Sequence, residues 1–118
     1  MRLIINGKEF TATLNDNLTV DELKAMLPLD LTLQHYARHE YYSPLPKHLS
    51  QRGVKMTSTA HAQGIYYYDG WKAFTVLYGG AQIAPFEVVH IGDVNEDVAT
   101  FLRESQVDTV PARIEMID

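Results

Sequence analysis

The 118-residue chain is 46% hydrophobic and 21% charged, and its 15 acidic against 10 basic residues leave a formal net charge of −5. This is the size and balance of one globular domain, taken as residues 1–118, that buries a core without covalent staples; it excludes a disordered chain and offers no basic stripe for nucleic acid or an anionic membrane. The sequence has no cysteine, so thiol catalysis, disulfides and thiolate metal sites are excluded.

The opening MRLIINGKEF alternates polar and apolar residues and lacks the apolar run of a secretory signal. No segment approaches the roughly 20 apolar residues that span a bilayer, and a cytoplasmic location is the expectation. The same stretch begins a hairpin. Asn6-Gly7 suits the positive φ angles of a type I′ turn, which sets Ile5 opposite Lys8 and Leu3 opposite Phe10. Leu3, Ile5, Phe10, Ala12 and Leu14 then share an apolar face; Arg2, Glu9, Thr11 and Thr13 share a polar one, with Ile4 its apolar exception. LTVDELKAMLP (18–28) predicts a short helix. Thr19 is placed to cap it with Glu22 reaching back, Leu18 and Leu23 to staple it, and Pro28 to stop it. LDLTL (29–33) alternates as a strand with its three leucines on one face.

From Gln34 to Gln63 the pattern dissolves. SPLP and QRG mark turns or extended loop, and the composition allows short strands at EYYS and near VKM. Irregular segments on a rigid scaffold are where binding residues concentrate, so this stretch is the expected functional region. GIYYYDGWKAFTVLYGG (64–80) reads as a second hairpin turning at Asp69-Gly70, with Tyr68 opposite Trp71 and Ile65 opposite Phe74. Ile65, Phe74 and Val76 fall on a core face with Tyr67 and Lys72 toward the rim; Tyr66, Tyr68 and Trp71 fall on the outer face. EVVHI (87–91) is a further strand. Asn95 is expected to cap a second helix striped by Val98, Phe101 and Leu102, with Arg103 near its end. The alternation of Val110, Ala112, Ile114 and Met116 ends the chain as a strand, and Pro111 suggests an edge position or a bulge. Many antiparallel strands with two distant short helices predict a mainly β fold, its edges hidden by closure into a barrel with a helix at each end.

LIINGKEFTATLNDN, LKAMLPL, YYSPLPKHL, GIYYYDGWKAFTVLYGG and IGDVNEDVATFL occur in this order across nearly the whole chain. The series resembles the bacterial cyclophilin-like domains. The resemblance implies a closed or nearly closed eight-stranded antiparallel β-barrel capped by two short helices. It implies less about activity. Cyclophilins isomerise Xaa-Pro bonds with a Phe-His-Arg…Phe…Gln-Gly-Gly run, of which only Gln63-Gly64 is an echo, and Arg38 and Arg52 lack a Phe and a Gln at suitable spacing. No catalytic residue is carried over, and a diverged prolyl isomerase stands as the alternative to a non-enzymatic binding domain. Cyclophilin-like relatives carry a basic residue just before an Ile-Gly pair; here that residue is His90.

Other motifs carry less. His35 and His39 have the i, i+4 spacing of a helical metal pair, but without a helix cap or the Glu of a zinc hydrolase they read as surface histidines. SPLPKHL is a loop stiffened by proline, and GGAQIAP opens no helix and has no Lys-Ser or Lys-Thr, so it is not a phosphate loop. Tyr66, Tyr68 and Trp71 form either a ladder covering the sheet or a surface for a ligand or a second copy of the chain. The expected site is a cleft in which Arg38, Tyr41 and Tyr42 join Trp71 and His90 around a small molecule or short extended peptide. The rings would stack, and Arg and His would fix a carbonyl or carboxylate. No cofactor and no metal are expected.

Overall fold

Asn6 and Gly7 adopt φ of 48° and 83°, the left-handed pair of a type I′ turn, in the computed structural model, which describes residues 1–117. They join β1 (Arg2–Ile5) to β2 (Lys8–Leu14) in the expected register, with Ile5 opposite Lys8 and Leu3 opposite Phe10. The remaining strands are β3 (Leu29–Tyr36), β4 (Glu40–Pro44), β5 (Thr59–Ala60), β6 (Gly64–Tyr68), β7 (Ala73–Leu77), β8 (Ala81–Gln82), β9 (Val89–Val94) and β10 (Thr109–Glu115). Eight of them close a barrel in the order β1-β10-β3-β4-β7-β6-β9-β2, every neighbour antiparallel. β5 and β8 form a separate two-stranded ribbon.

The barrel interior takes the alternate residues that period two assigns to it. Leu3, Ile5, Phe10, Leu33, Tyr41, Ile65, Phe74, Val76 and Ile114 all lie in one buried cluster. Two helices complete that core, α1 (Leu18–Ala25) through Val20 and Leu23 and α2 (Val98–Ser105) through Val98, Ala99 and Leu102. β2 runs toward α1, and β9 runs antiparallel to it toward α2, so the helices sit at opposite mouths.

Several local expectations shift by a residue or two. Asn17, not Thr19, caps α1, accepting from the Val20 N–H at 2.9 Å. Thr19 and Glu22 instead grip Ser50: the Thr19 hydroxyl donates to its carbonyl at 2.6 Å and Glu22 accepts its N–H at 2.8 Å. Leu18 is exposed, so there is no staple. Asp97, not Asn95, caps α2, accepting from the Thr100 N–H. Asn95 lies outside that helix and bonds to Thr11 and Thr13 of β2. In each case a cap-competent residue found a tertiary partner and a neighbour took the cap, because several short polar side chains satisfy a helix start equally well. Strand β3 runs on to Tyr36, whereas Val54–Met56 forms no strand. Pro111 lies in β10 between β1 and β3, not at an edge. Its carbonyl accepts the Asn6 N–H at 2.8 Å, beside the β1–β2 turn.

The second hairpin turns later than Asp69-Gly70 predicts. Asp69–Trp71 forms a single 3-10 turn and Lys72 takes φ of 50°, so Tyr68 pairs with Ala73 and Tyr66 with Thr75. Lengthening the loop by two residues shifts the register by two, and because side chains alternate with period two the faces survive the error. Tyr67 accordingly points inward and is fully buried. Its hydroxyl accepts the Leu49 N–H at 2.9 Å and donates to Asp69 at 2.6 Å, tying the loop after β4 to the turn. Burial, with Asp69 as hydrogen-bond partner, pushes the Tyr67 phenol up to about 12.

One bulge breaks the alternation. Ile65 pairs with Gly92 but Tyr66 pairs with His90, which leaves Ile91 as an extra residue in β9. A Cβ on Gly92 would lie 2.4 Å from the Thr13 carbonyl oxygen of β2, so the close approach requires glycine. Val89 and Ile91 point into the core, and so does Val94; His90 and Asp93, three residues apart, therefore share the outer face. Replacing Gly92 with Ala is expected to cost about 1–3 kcal/mol by overpacking against backbone, read as a lowered urea midpoint. Asp69 yields a pH prediction. The hydrogen bonds from Tyr67 and His48 hold its carboxyl below the usual carboxylate range, so its contribution is present above the unfolded-state value of about 3.9 and is lost as pH falls through the lower folded value. Asp69→Asn should lower the urea midpoint at pH 7, and that difference should shrink as the pH drops into the acid range.

Candidate functional site

The five residues expected to share one cleft do not. Tyr41 faces the barrel interior, fully buried, with its hydroxyl donating to the Val107 carbonyl at 2.8 Å and lying 3.0 Å from Ser105 Oγ. It is a core residue because β4 alternates and Tyr41 falls on the inward phase. Arg38 is exposed in the turn between β3 and β4. Tyr42 and Trp71 meet on the outer face, their rings 5.3 Å apart. His90 is also on the outer wall but opens onto a different concavity.

The first concavity is a cleft of about 450 Å³ on the outer face of β6 and β7. Its floor is Tyr66, Ala73, Thr75 and Leu77, and its rims are Tyr36 with Glu40 on one side and Ile83 with Phe86 on the other. The segment from β8 to β9 is held over the sheet by the Thr57–Val88 bridge, by Ile83 N donating to the Ser58 carbonyl at 2.8 Å, and by Ser58 Oγ donating to the Phe86 carbonyl. Beneath it Ala60, Tyr66, Leu77 and Val88 make a small second core. The covering stops short of the aromatic edge. Tyr36, Trp71 and Phe86 remain 45%, 44% and 57% exposed. Tyr68 makes edge contacts with both Trp71 and Phe86 at 5.7 and 5.9 Å, and Tyr36 meets Trp71 edge-on at 5.1 Å. Edge-to-face packing orients these rings against one another, and about half of each of Tyr36, Trp71 and Phe86 is left accessible. Glu40 is the one carboxylate lining the cleft, and no Lys or Arg lines it among the described residues. Burial raises the Glu40 carboxyl, against the opposing pull of His39, whose Nε2 lies 2.9 Å away.

The second concavity, about 590 Å³, lies between the loop before α1 and residues 53–57, with His61, Tyr66 and His90 on its wall. His61 Nε2 and His90 Nε2 approach the same oxygen of Asp93, at 2.9 and 3.0 Å. Burial disfavours the charged Asp93, but the hydrogen bonds from the two histidines outweigh it and hold the carboxyl below its ordinary value. His90 stacks on Tyr66 with ring centroids 4.7 Å apart.

The Gln63-Gly64 pair is bound up in structure. The Gln63 amide nitrogen donates to the Val94 and Glu96 carbonyls at 3.0 and 2.6 Å, and its oxygen accepts the Ala99 N–H at 2.7 Å. That side chain joins β9 to the start of α2. His35 and His39 lie on a strand and a turn, with separate partners in Tyr78 and Glu40. No helix among the described residues is long and apolar enough to cross a membrane.

A closed eight-stranded antiparallel barrel with a helix at each mouth defines the class. The chain belongs to the cyclophilin-like family, whose sequence model matches residues 3–115. No curated protein and no solved structure matches the chain.

Sequence reasoning missed Tyr36, Glu40 and Phe86 in the cleft, because the segment that brings Phe86 over the sheet has no local pattern. It also missed His61 and Asp93. The signal was present in HIGD, a histidine and a carboxylate flanking a glycine, but on a regular strand an i, i+3 pair faces opposite sides.

Proposed function

We propose that this chain is a non-enzymatic binding domain whose outer cleft takes the apolar or aromatic part of a neutral or cationic small molecule or short peptide. The observation that carries the reading is the set of half-exposed aromatic side chains of Tyr36, Trp71 and Phe86 around a cavity of about 450 Å³. Large apolar side chains left open in one place, with a few polar groups among them, here His39, Glu40, Thr75 and Gln82, are the general character of ligand sites. The charge preference follows from the lining. Ring faces carry negative quadrupole potential, Glu40 adds a carboxylate, and the chain as a whole carries −5. An anionic ligand would meet no Lys or Arg there. The cysteine-free sequence supports a reducing, cytoplasmic setting for this binding.

Trp71 is the sole tryptophan, so its emission reports on the cleft directly. Titration with benzyltrimethylammonium should give a saturable change, and benzoate should give none. Phe86→Ala should weaken the response about tenfold, the equivalent of about 1.4 kcal/mol. Equal binding of benzoate, or no saturable response to the cation, overturns the reading. So does a dimer in solution that Trp71→Ala dissociates, since a second copy would then own the cleft. Exchange NMR on a capped Phe-Pro peptide tests the alternative activity: catalysed cis/trans exchange would make the domain a prolyl isomerase.

A further inference from the structure

We propose that His61, His90 and Asp93 form a binding site for a divalent transition-metal ion of the zinc type, with one coordination position open to the second concavity. The three ligand atoms lie within 4.8 Å of one another and come from two separate stretches of chain. His90 and Asp93 share a face because of the bulge in β9, whose local chain path depends on Gly92. His61 is delivered by the turn after β5, in which Gly64 N donates to the His61 carbonyl at 3.1 Å and Gln63 takes φ of 75°. The anchored Gln63 side chain holds that turn against β9 and α2.

The distances suit an ion. A tetrahedral centre about 2.0–2.1 Å from each ligand needs ligand atoms roughly 3.3 Å apart. Two of the three edges, from His61 Nε2 and His90 Nε2 to Asp93 Oδ1, are 2.9 and 3.0 Å. An opening of a few tenths of an ångström, within the reach of an exposed His61 and the partly exposed His90 and Asp93, brings them to that spacing.

The surroundings do what metal sites do around their ligands. A ligating histidine normally gives its other ring N–H to a fixed acceptor, which sets tautomer and orientation. The Tyr66 hydroxyl is 3.1 Å from His61 Nδ1, and it is itself positioned by accepting the His61 backbone N–H at 3.1 Å. The same tyrosine ring stacks on His90 and fixes its plane. One buried side chain thus orients both imidazoles. The backbone behind His90 is held as well, its carbonyl accepting from Asn15 Nδ2 at 3.0 Å and the Ile91 carbonyl accepting from Asn15 N at 2.8 Å. Two imidazoles and one carboxylate, with no thiolate anywhere in the chain, select borderline divalent ions such as Zn²⁺, Co²⁺ or Ni²⁺ over calcium or magnesium, which prefer all-oxygen cages. Both histidines line the second concavity, so a water or an oxygen donor reaches the remaining position from that side. The site is independent of the aromatic cleft, which lies on the other side of Tyr66.

The test is calorimetric titration of the chelator-treated full chain with Zn²⁺, paired with visible absorption on titration with Co²⁺. The expected result is one ion per chain and the intense visible bands of tetrahedral Co²⁺. His61→Ala and His90→Ala should each reduce affinity by more than about 100-fold, and Tyr66→Phe by about 10-fold, the range found for partners behind metal ligands. Trp71→Ala and His48→Ala should leave Zn²⁺ affinity unchanged. His61 is exposed, so its variant retains the fold, and a thermal melt verifies this. No saturable binding to the folded wild-type chain, or binding that survives His61→Ala, or binding abolished by His48→Ala, overturns the proposal.

Discussion

Everything outside the barrel depends on the strictness of its closure. Because β1 pairs with both β10 and β2, no barrel strand has a free edge, and each strand must send alternate side chains inward to fill a small interior. That constraint explains why Tyr41 and Tyr67, polar at their tips, are buried: their positions are inward, and their hydroxyls reach Val107, Leu49 and Asp69 where the strands end. A side chain on the inward phase is committed to packing. Binding groups must come from the outward phase, from loops, or from a place where the phase changes.

The chain uses all three. The outward phase of β6 and β7 supplies the cleft floor, and loops supply Trp71 and Phe86 as its rims. The change of phase at Ile91-Gly92 turns His90 and Asp93 to the same side. Tyr66 lies between the two concavities, one ring serving as floor to the first and as stacking partner for His90 in the second. Its phenol, raised by burial, stays protonated at neutral pH and so remains able to donate as well as accept.

The stretch from Gln34 to Gln63 was legible only in part. The short strand allowed at EYYS forms as Glu40–Pro44, and Gln34–Tyr36 continues β3, but most of the rest is held by contacts with no local periodicity. Ser50 is gripped by Thr19 and Glu22 of α1, and Leu45 and Leu49 are buried against the barrel core. Residues whose polar side chains read as helix caps were in fact cross-links between distant segments. Local rules assign a polar side chain to its nearest backbone partner; the folded chain offers partners 31 and 28 residues away for Thr19 and Glu22.

The sequence by itself determined what repeats along the chain: the Asn6-Gly7 turn, the inward and outward faces of most strands, the two short helices, and hence a barrel; its cyclophilin-like kind came from the resemblance of the motif series. The faces of the second hairpin survived even a misplaced turn, because an even shift preserves period two. Only the tertiary structure decided which outward groups meet. Trp71 and Phe86 are joined through a covering segment, and His61 reaches His90 and Asp93 through a bulge set by a backbone approach that glycine alone permits. Periodicity is a property of neighbours in sequence; a site is a property of neighbours in space, and here the two are connected by a break in the period.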